Sequence, residues 1–144
     1  MQSLTYISRA TTHFTPEALE QLTDAAAERN LTLDISGCLL YSEGHFLQYI
    51  EGPDPAILQL EQALTTDPRH RIIYRLTQLN QTYRRFPCWH MQHVDSNTIA
   101  ALGQTTHQLS MSNWTQINYK QQLQQQLMKA ITLLADQYLY QINN

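Results

Sequence analysis

Two residues stand out as able to do chemistry together, Gln48 and Tyr6. Gln48 sits in His45-Phe46-Leu47-Gln48-Tyr49-Ile50-Glu51-Gly52, a run rich in strand-forming side chains. Side chains alternate between the two faces of a strand. Phe46, Gln48 and Ile50 therefore share one face, and His45, Leu47, Tyr49 and Glu51 share the other. A glutamine between Phe and Ile on one face is expected to be buried. A buried primary amide without partners costs roughly 1–3 kcal/mol. It can donate twice and accept twice, so polar groups must meet it on both sides, and Tyr6 is one of them. An amide can also rotate, which exchanges its donor and acceptor ends without breaking a bond.

These residues need elements to hold them. Leu4-Thr5-Tyr6-Ile7-Ser8 reads as a strand with Leu4, Tyr6 and Ser8 on one face. Thr15-Pro16-Glu17 opens a helix: a Thr cap, Pro at the first position and an acid in the first turn. It runs to about Asn30, with Leu19, Leu22, Ala26 and then Arg29 and Asn30 along one stripe. Residues 35–41 form a second strand, Ser42-Glu43-Gly44 turns the chain, and 45–52 form a third. Gly37 inside a strand points to a bulge or to close approach of another group. Asp54-Pro55 starts a second helix with Ile57, Leu60 and Leu64 buried. It ends near Thr66, because Pro68 cannot continue it. Residues 72–79 and 89–94 read as the fourth and fifth strands. The order β-α-β-β-α-β-β predicts a ferredoxin-like α+β sheet with two helices on one face. The groove between those helices is the natural ligand site.

The bulk numbers exclude several classes. The 144 residues suit one domain, and 42% hydrophobic content is enough for a core. A net charge of −3 with scattered His gives no basic patch for nucleic acid. No apolar run approaches a membrane span. The start, Met1-Gln2-Ser3-Leu4, has no signal-peptide character, so no targeting arm is expected. Cys38 and Cys88 make no disulfide framework, which points to a reduced, cytoplasmic setting. The six His lack metal-ligand spacing, and no nucleophile-base pair or phosphate-cradling glycine loop occurs. Neither a metal site nor an enzymatic site is expected.

Composition changes after about residue 94. A short helix is expected over 99–103, a polar link over 104–118, and a last helix from about Tyr119 to Tyr140. Leu123, Leu127, Ala130, Ile131, Leu134 and Tyr138 form the stripe of that helix, and its glutamines form a wet face. The expected division is 1–94 and a helical extension 95–144, which packs on the sheet or mediates assembly.

Six separated stretches occur together in order. They are Tyr6; Arg29-Asn30; Ser36-Gly37; Phe46 to Gly52; Asp67-Pro68-Arg69-His70; and Phe86-Pro87-Cys88-Trp89-His90-Met91. With them, residues 1–94 resemble a BLUF domain, the blue-light sensor that uses flavin. The resemblance implies a flavin held without a covalent bond between the two helices. It makes Tyr6 the electron and proton donor to the excited flavin and Gln48 the bridge between phenol and flavin. Asn30 then bonds the flavin carbonyl edge, and Arg29 lies near the same ring. Leu22 and Leu64 sandwich the ring, while Asp67, Arg69 and His70 complete the cofactor site. Trp89 and Met91 form the strand-five pair that repacks with the state of the switch. Some short members carry an arginine where this chain has Ala63, so phosphate contacts are expected to fall to Arg69, His70 or Arg71 or to be left to solvent. FAD is the family default, with FMN and riboflavin as alternatives. The implied function is a photoreceptor without an enzymatic output domain, signalling to a downstream protein or through homo-oligomer contacts. The competing readings are a ferredoxin-like ligand- or protein-binding module without light sensing and, more weakly, a flavin-dependent enzyme.

Overall fold

The computed structural model describes residues 1–94 and 120–144. The expected short helix over 99–103 and the link over 104–118 lie outside the described residues. The elements are β1 (Gln2–Ala10), α1 (Pro16–Thr32), β2 (Ser36–Ser42), β3 (His45–Gly52), α2 (Asp54–Thr66), β4 (His70–Gln78), β5 (Gln92–Val94) and α3 (Lys120–Asn143). The strands form one sheet in the order β4-β1-β3-β2-β5. β1 is antiparallel to both β3 and β4, β2 is antiparallel to β3, and β5 runs parallel to β2.

Local chemistry explains the boundaries. The Thr15 side chain accepts from Ala18 N and caps α1, with Pro16 next to it. Glu43 and Gly44 make a two-residue turn between the paired Ser42 and His45, and both have positive φ (54° and 74°). That is the backbone of a type I′ hairpin, whose twist matches that of the strands it joins. Gly37 shows why only hydrogen fits there: a Cβ would stand 1.9 Å from the Tyr49 carbonyl oxygen. Gly37→Ala should therefore force β2 and β3 apart and destabilise the fold by roughly 3 kcal/mol. Thermal unfolding checks this, and an unchanged midpoint would contradict the close approach.

The sheet has two covered faces. On one, Leu4, Tyr6, Leu39, Phe46 and Ile50 pack with Leu19 and Ala26 of α1 and with Ile57 and Leu60 of α2. On the other, Ile7, Cys38, Leu40, Leu47 and Tyr49 pack with Leu127, Ile131, Leu134 and Tyr138 of α3. The stripe anticipated for the last helix is thus the buried one from Leu127 onward; the Leu123 side chain lies outside the described residues. The alternation of β3 places Gln48 on the α1/α2 face and Leu47, Tyr49 and Glu51 on the α3 face.

The fifth strand is shorter than the sequence suggests. Among the described residues 92–94 are those that pair with β2 in this strand, and Trp89 and Met91 lie in the irregular segment before them. Met91 is buried in the α1/α2-side core, whereas Trp89 packs on the α3 side. Residues two apart on a regular strand would share a face. The segment is instead fixed by specific bonds: Gly37 N to Trp89 O at 2.7 Å and Asn30 Nδ2 to His90 O at 2.6 Å.

Candidate functional site

A slot opens between α1 and α2, above the centre of the sheet. Its floor is Tyr6, Leu39, Phe46 and Gln48. One wall is Leu22, Ala25, Ala26 and Arg29 of α1; the opposite side is Leu64, Asp67, Arg69 and His70. The space between these walls, open solvent at the mouth included, is about 640 Å³. Pro16 and the run of alanines keep the α1 wall helical and thin.

Tyr6 and Gln48 meet on this floor. Tyr6 and Gln48 face each other in the β1–β3 register. The Tyr6 hydroxyl donates to Gln48 Oε1, and Gln48 Nε2 faces Met91 Sδ at 3.6 Å. Both side chains are buried, Tyr6 at 3% exposure and Gln48 at 4%. Burial pushes the Tyr6 phenol well above its ordinary range. The phenol therefore stays protonated and donates, while one of the amide N–H groups of Gln48 has only a sulfur beside it, a weak acceptor.

The remaining site residues divide by what they already hold. The Arg69 guanidinium clasps the Asp67 carboxylate, Nε to Oδ1 at 3.0 Å and Nη2 to Oδ2 at 2.6 Å. The Arg69 side chain beside Asp67 holds that carboxyl below the usual range. His70 Nε2 lies 2.9 Å from Leu64 O and Nδ1 lies 2.7 Å from Ser8 Oγ. A carbonyl can only accept, so Nε2 carries a proton, and in the neutral ring Nδ1 accepts from the Ser8 hydroxyl. The imidazole thus ties β1 to the end of α2 and offers the slot its ring, 5.7 Å from the Tyr6 ring. Arg29 differs. Its Nε and Nη2 reach only Asn30 Oδ1, each at a long 3.4 Å. Burial lowers its pKa from the ordinary guanidinium value. An exposed cation so loosely held at the edge of the slot suits a ligand carbonyl or anion.

Three sequence expectations look different in space. Asn30 is fully buried but is not on the slot wall; its Nδ2 is engaged by His90 O. Arg71 pairs across to Arg9 and does not line the slot, so it is no candidate for a ligand phosphate. Ala63 is exposed on α2 and is also off the wall. Phe14, Leu39 and Phe46 line the slot without having been singled out. Phe46 was legible as a neighbour of Gln48, whereas Phe14 comes from a connection with no periodic signal. Among the described residues no group of three His, Cys, Asp or Glu is placed to hold a metal, and no helix is long and apolar enough to cross a membrane.

A slot lined by aliphatic, aromatic and charged side chains, with a phenol-amide pair at its floor, thus lies between two helices on a ferredoxin-like sheet. The family model described as BLUF, sensors of blue light using FAD, matches residues 1–92. The chain belongs to this family. It is 34% identical over 102 residues to the photoactivated adenylate cyclase subunit beta of Euglena longa, a match covering 68% of this chain and 12% of that protein. This chain therefore spans only a small part of the curated relatives it matches. The dark-state structure of BlrB, described as a BLUF protein, superposes with a TM-score of 0.73 at 31% identity, covering 94% of this chain and 96% of that one. BlrP1 of Klebsiella pneumoniae, solved with FMN and cyclic diGMP, gives a TM-score of 0.56 at 33% identity over 65% of this chain and 25% of that chain.

Proposed function

We propose that this blue-light flavin sensor holds FAD in the slot between α1 and α2 and signals through the Tyr6–Gln48 pair. The observation that carries the reading is the buried phenol-to-amide hydrogen bond on the slot floor. The residues present fit a flavin. Leu22 and Leu64, with Ala25 and Ala26, supply flat apolar contact for the ring faces. Gln48 Nε2 and the Arg29 guanidinium supply donors for its polar edge. The Asn30 amide backs Arg29 and keeps a second N–H beyond the one given to His90. Arg69 is the cation left near the mouth for a phosphate, although it must share itself with Asp67. The FMN in BlrP1 supports a flavin in this fold without choosing between FMN, riboflavin and FAD here; FAD is the proposal.

A bound flavin supplies the blue absorption and, when excited, an oxidant beside Tyr6. The chain supplies the rest. Tyr6 is an oxidisable phenol whose proton is already directed at Gln48 Oε1. Gln48 can rotate or tautomerise its amide, so that the atom facing Tyr6 and the atom facing Met91 exchange roles. Such a change costs little covalently and biases a neighbour with two arrangements, here the segment carrying Trp89 and Met91. The chain is proposed to have no enzymatic activity of its own and to work in the cytoplasm, with its two cysteines unpaired. Output is proposed to pass to a second copy or a downstream protein, and the exposed Leu139, Tyr140 and Ile142 at the end of α3 support a contact there.

Absorption spectra of the purified protein in the dark and after blue light test this reading. A flavin band that moves to the red and recovers in the dark is the expected result. A band that bleaches without moving would sink the Tyr6–Gln48 mechanism, and a colourless protein would favour a binding module without light sensing. Gln48→Leu should keep the flavin and lose the red shift. It should also lower stability by about 1–3 kcal/mol, because the Tyr6 hydroxyl loses its acceptor in a buried site. A normal red shift in this variant would remove Gln48 from the switch.

A further inference from the structure

Glu51 is a fully buried carboxylate on the face of β3 that turns away from the slot. Four donors converge on it. Ser36 Oγ and Phe86 N donate to Oε1 at 3.2 and 2.7 Å; the Tyr49 hydroxyl and Arg85 N donate to Oε2, each at 2.9 Å. A buried charge is tolerated only when it is bonded this fully. Two of the donors are consecutive backbone N–H groups at the start of the segment that leads to Trp89 and Met91. Arg84 closes the clamp from outside, with Nη1 on Ser36 Oγ at 2.9 Å and Nη2 on Asp34 O at 2.8 Å.

From this clamp an aromatic path runs to α3. The Phe86 ring stacks on Trp89 at 5.5 Å and 13°. Trp89 meets Tyr138 of α3 at 4.3 Å, and Phe86 meets it at 5.8 Å. The Tyr138 hydroxyl accepts from Cys88 N at 3.0 Å. The far end of the same segment returns to the slot, where Gln48 Nε2 meets Met91 Sδ. One strand, β3, thus holds both ends of the segment: Gln48 on the slot face and Glu51 on the α3 face.

We propose that Glu51 is the positioning residue of the light output. It fixes the Phe86–Trp89 stack against Tyr138, so that a changed amide at Gln48, felt at Met91, is delivered to α3. The proposal rests on the sensor reading above. It predicts that photochemistry and output separate, because Glu51 acts on the face opposite the flavin slot.

The experiment is hydrogen exchange of the full flavin-loaded chain in dark and light, over 127–138, with absorption spectra of the same samples. The unmodified protein should show the red shift and a light-minus-dark exchange difference in α3. Glu51→Gln, which cannot accept from both backbone N–H groups and Tyr49 at once, should keep the red shift. Its exchange difference should fall about fivefold or more. A purely structural role would instead raise exchange equally in dark and light and leave the difference intact, which overturns the proposal. If Glu51→Gln does not fold, Tyr49→Phe removes a single donor and should give a partial loss of the difference; an unchanged difference there overturns the proposal too. Loss of the red shift in either variant would place Glu51 in support of the slot and also overturn it. A red-shifting unmodified protein with no exchange difference in α3 ends the proposal while leaving the sensor standing. An unmodified protein that does not red-shift ends the sensor reading itself.

Discussion

Tyr6→Phe should bind flavin as the unmodified protein does and lose the light-induced red shift altogether. The substitution removes one oxygen atom from a ring that is 97% buried by its neighbours, since Tyr6 is 3% exposed. The ring contacts with His70 and the rest of the slot floor remain, so the cofactor's surroundings barely change. What disappears is the oxidisable phenol and the proton that it directs at Gln48 Oε1. Phenylalanine offers neither. The fold cost is small, because the ring stays packed and only Gln48 Oε1 loses a donor. The checks are cofactor content after purification and the difference spectrum under blue light. A variant that holds flavin and still shifts would show that the electron and proton come from elsewhere.

Ile131→Asp should detach α3 and lower stability by about 4 kcal/mol or more, from lost apolar burial plus a charge with no partner. Ile131 has no exposed surface and lies among Leu127, Leu134 and Tyr138 on the sheet. For a chain of this size that corresponds to a midpoint lower by roughly 10 °C or more. The informative part is what survives. The slot proposed for flavin lies on the other face of the sheet, so a chain that still folds at low temperature should keep its red shift while its α3 face becomes sticky and prone to association. Circular dichroism melts and size-exclusion chromatography check the two halves. An unchanged midpoint would mean that α3 is not held by this stripe.

Much of this arrangement was legible because it rests on period and punctuation. The alternation of 45–52 placed Gln48 on one face and Glu51 on the other, and the register with β1 then brought Tyr6 opposite Gln48. Thr15-Pro16 and Asp54-Pro55 marked both helix starts, and Gly37 marked a close approach that the Tyr49 carbonyl makes real. The segment 86–91 was not legible as a shape. A strand over 89–94 would have put Trp89 and Met91 on one face. Its path is set by long-range bonds from Glu51, Gly37 and Asn30, which no local pattern announces. Asn30 shows the same limit. The sequence placed it at the end of α1, but its partner is a backbone carbonyl sixty residues away. The engagement of both His70 nitrogens by Ser8 and Leu64 O was equally invisible, because it depends on where α2 ends against β1.

The two-residue turn at Glu43-Gly44 governs more than a change of direction. With Ser42 facing His45, the turn counts out the pairing that continues to Ser36 and Glu51. A single residue inserted or deleted there would slide β3 by one position and exchange its faces. The amide would then lie under α3 and the carboxylate under the flavin slot. In descent, this corner can accept substitutions that tolerate a left-handed backbone, but length variation should collect elsewhere in the chain, because here it erases the photochemistry and the core together.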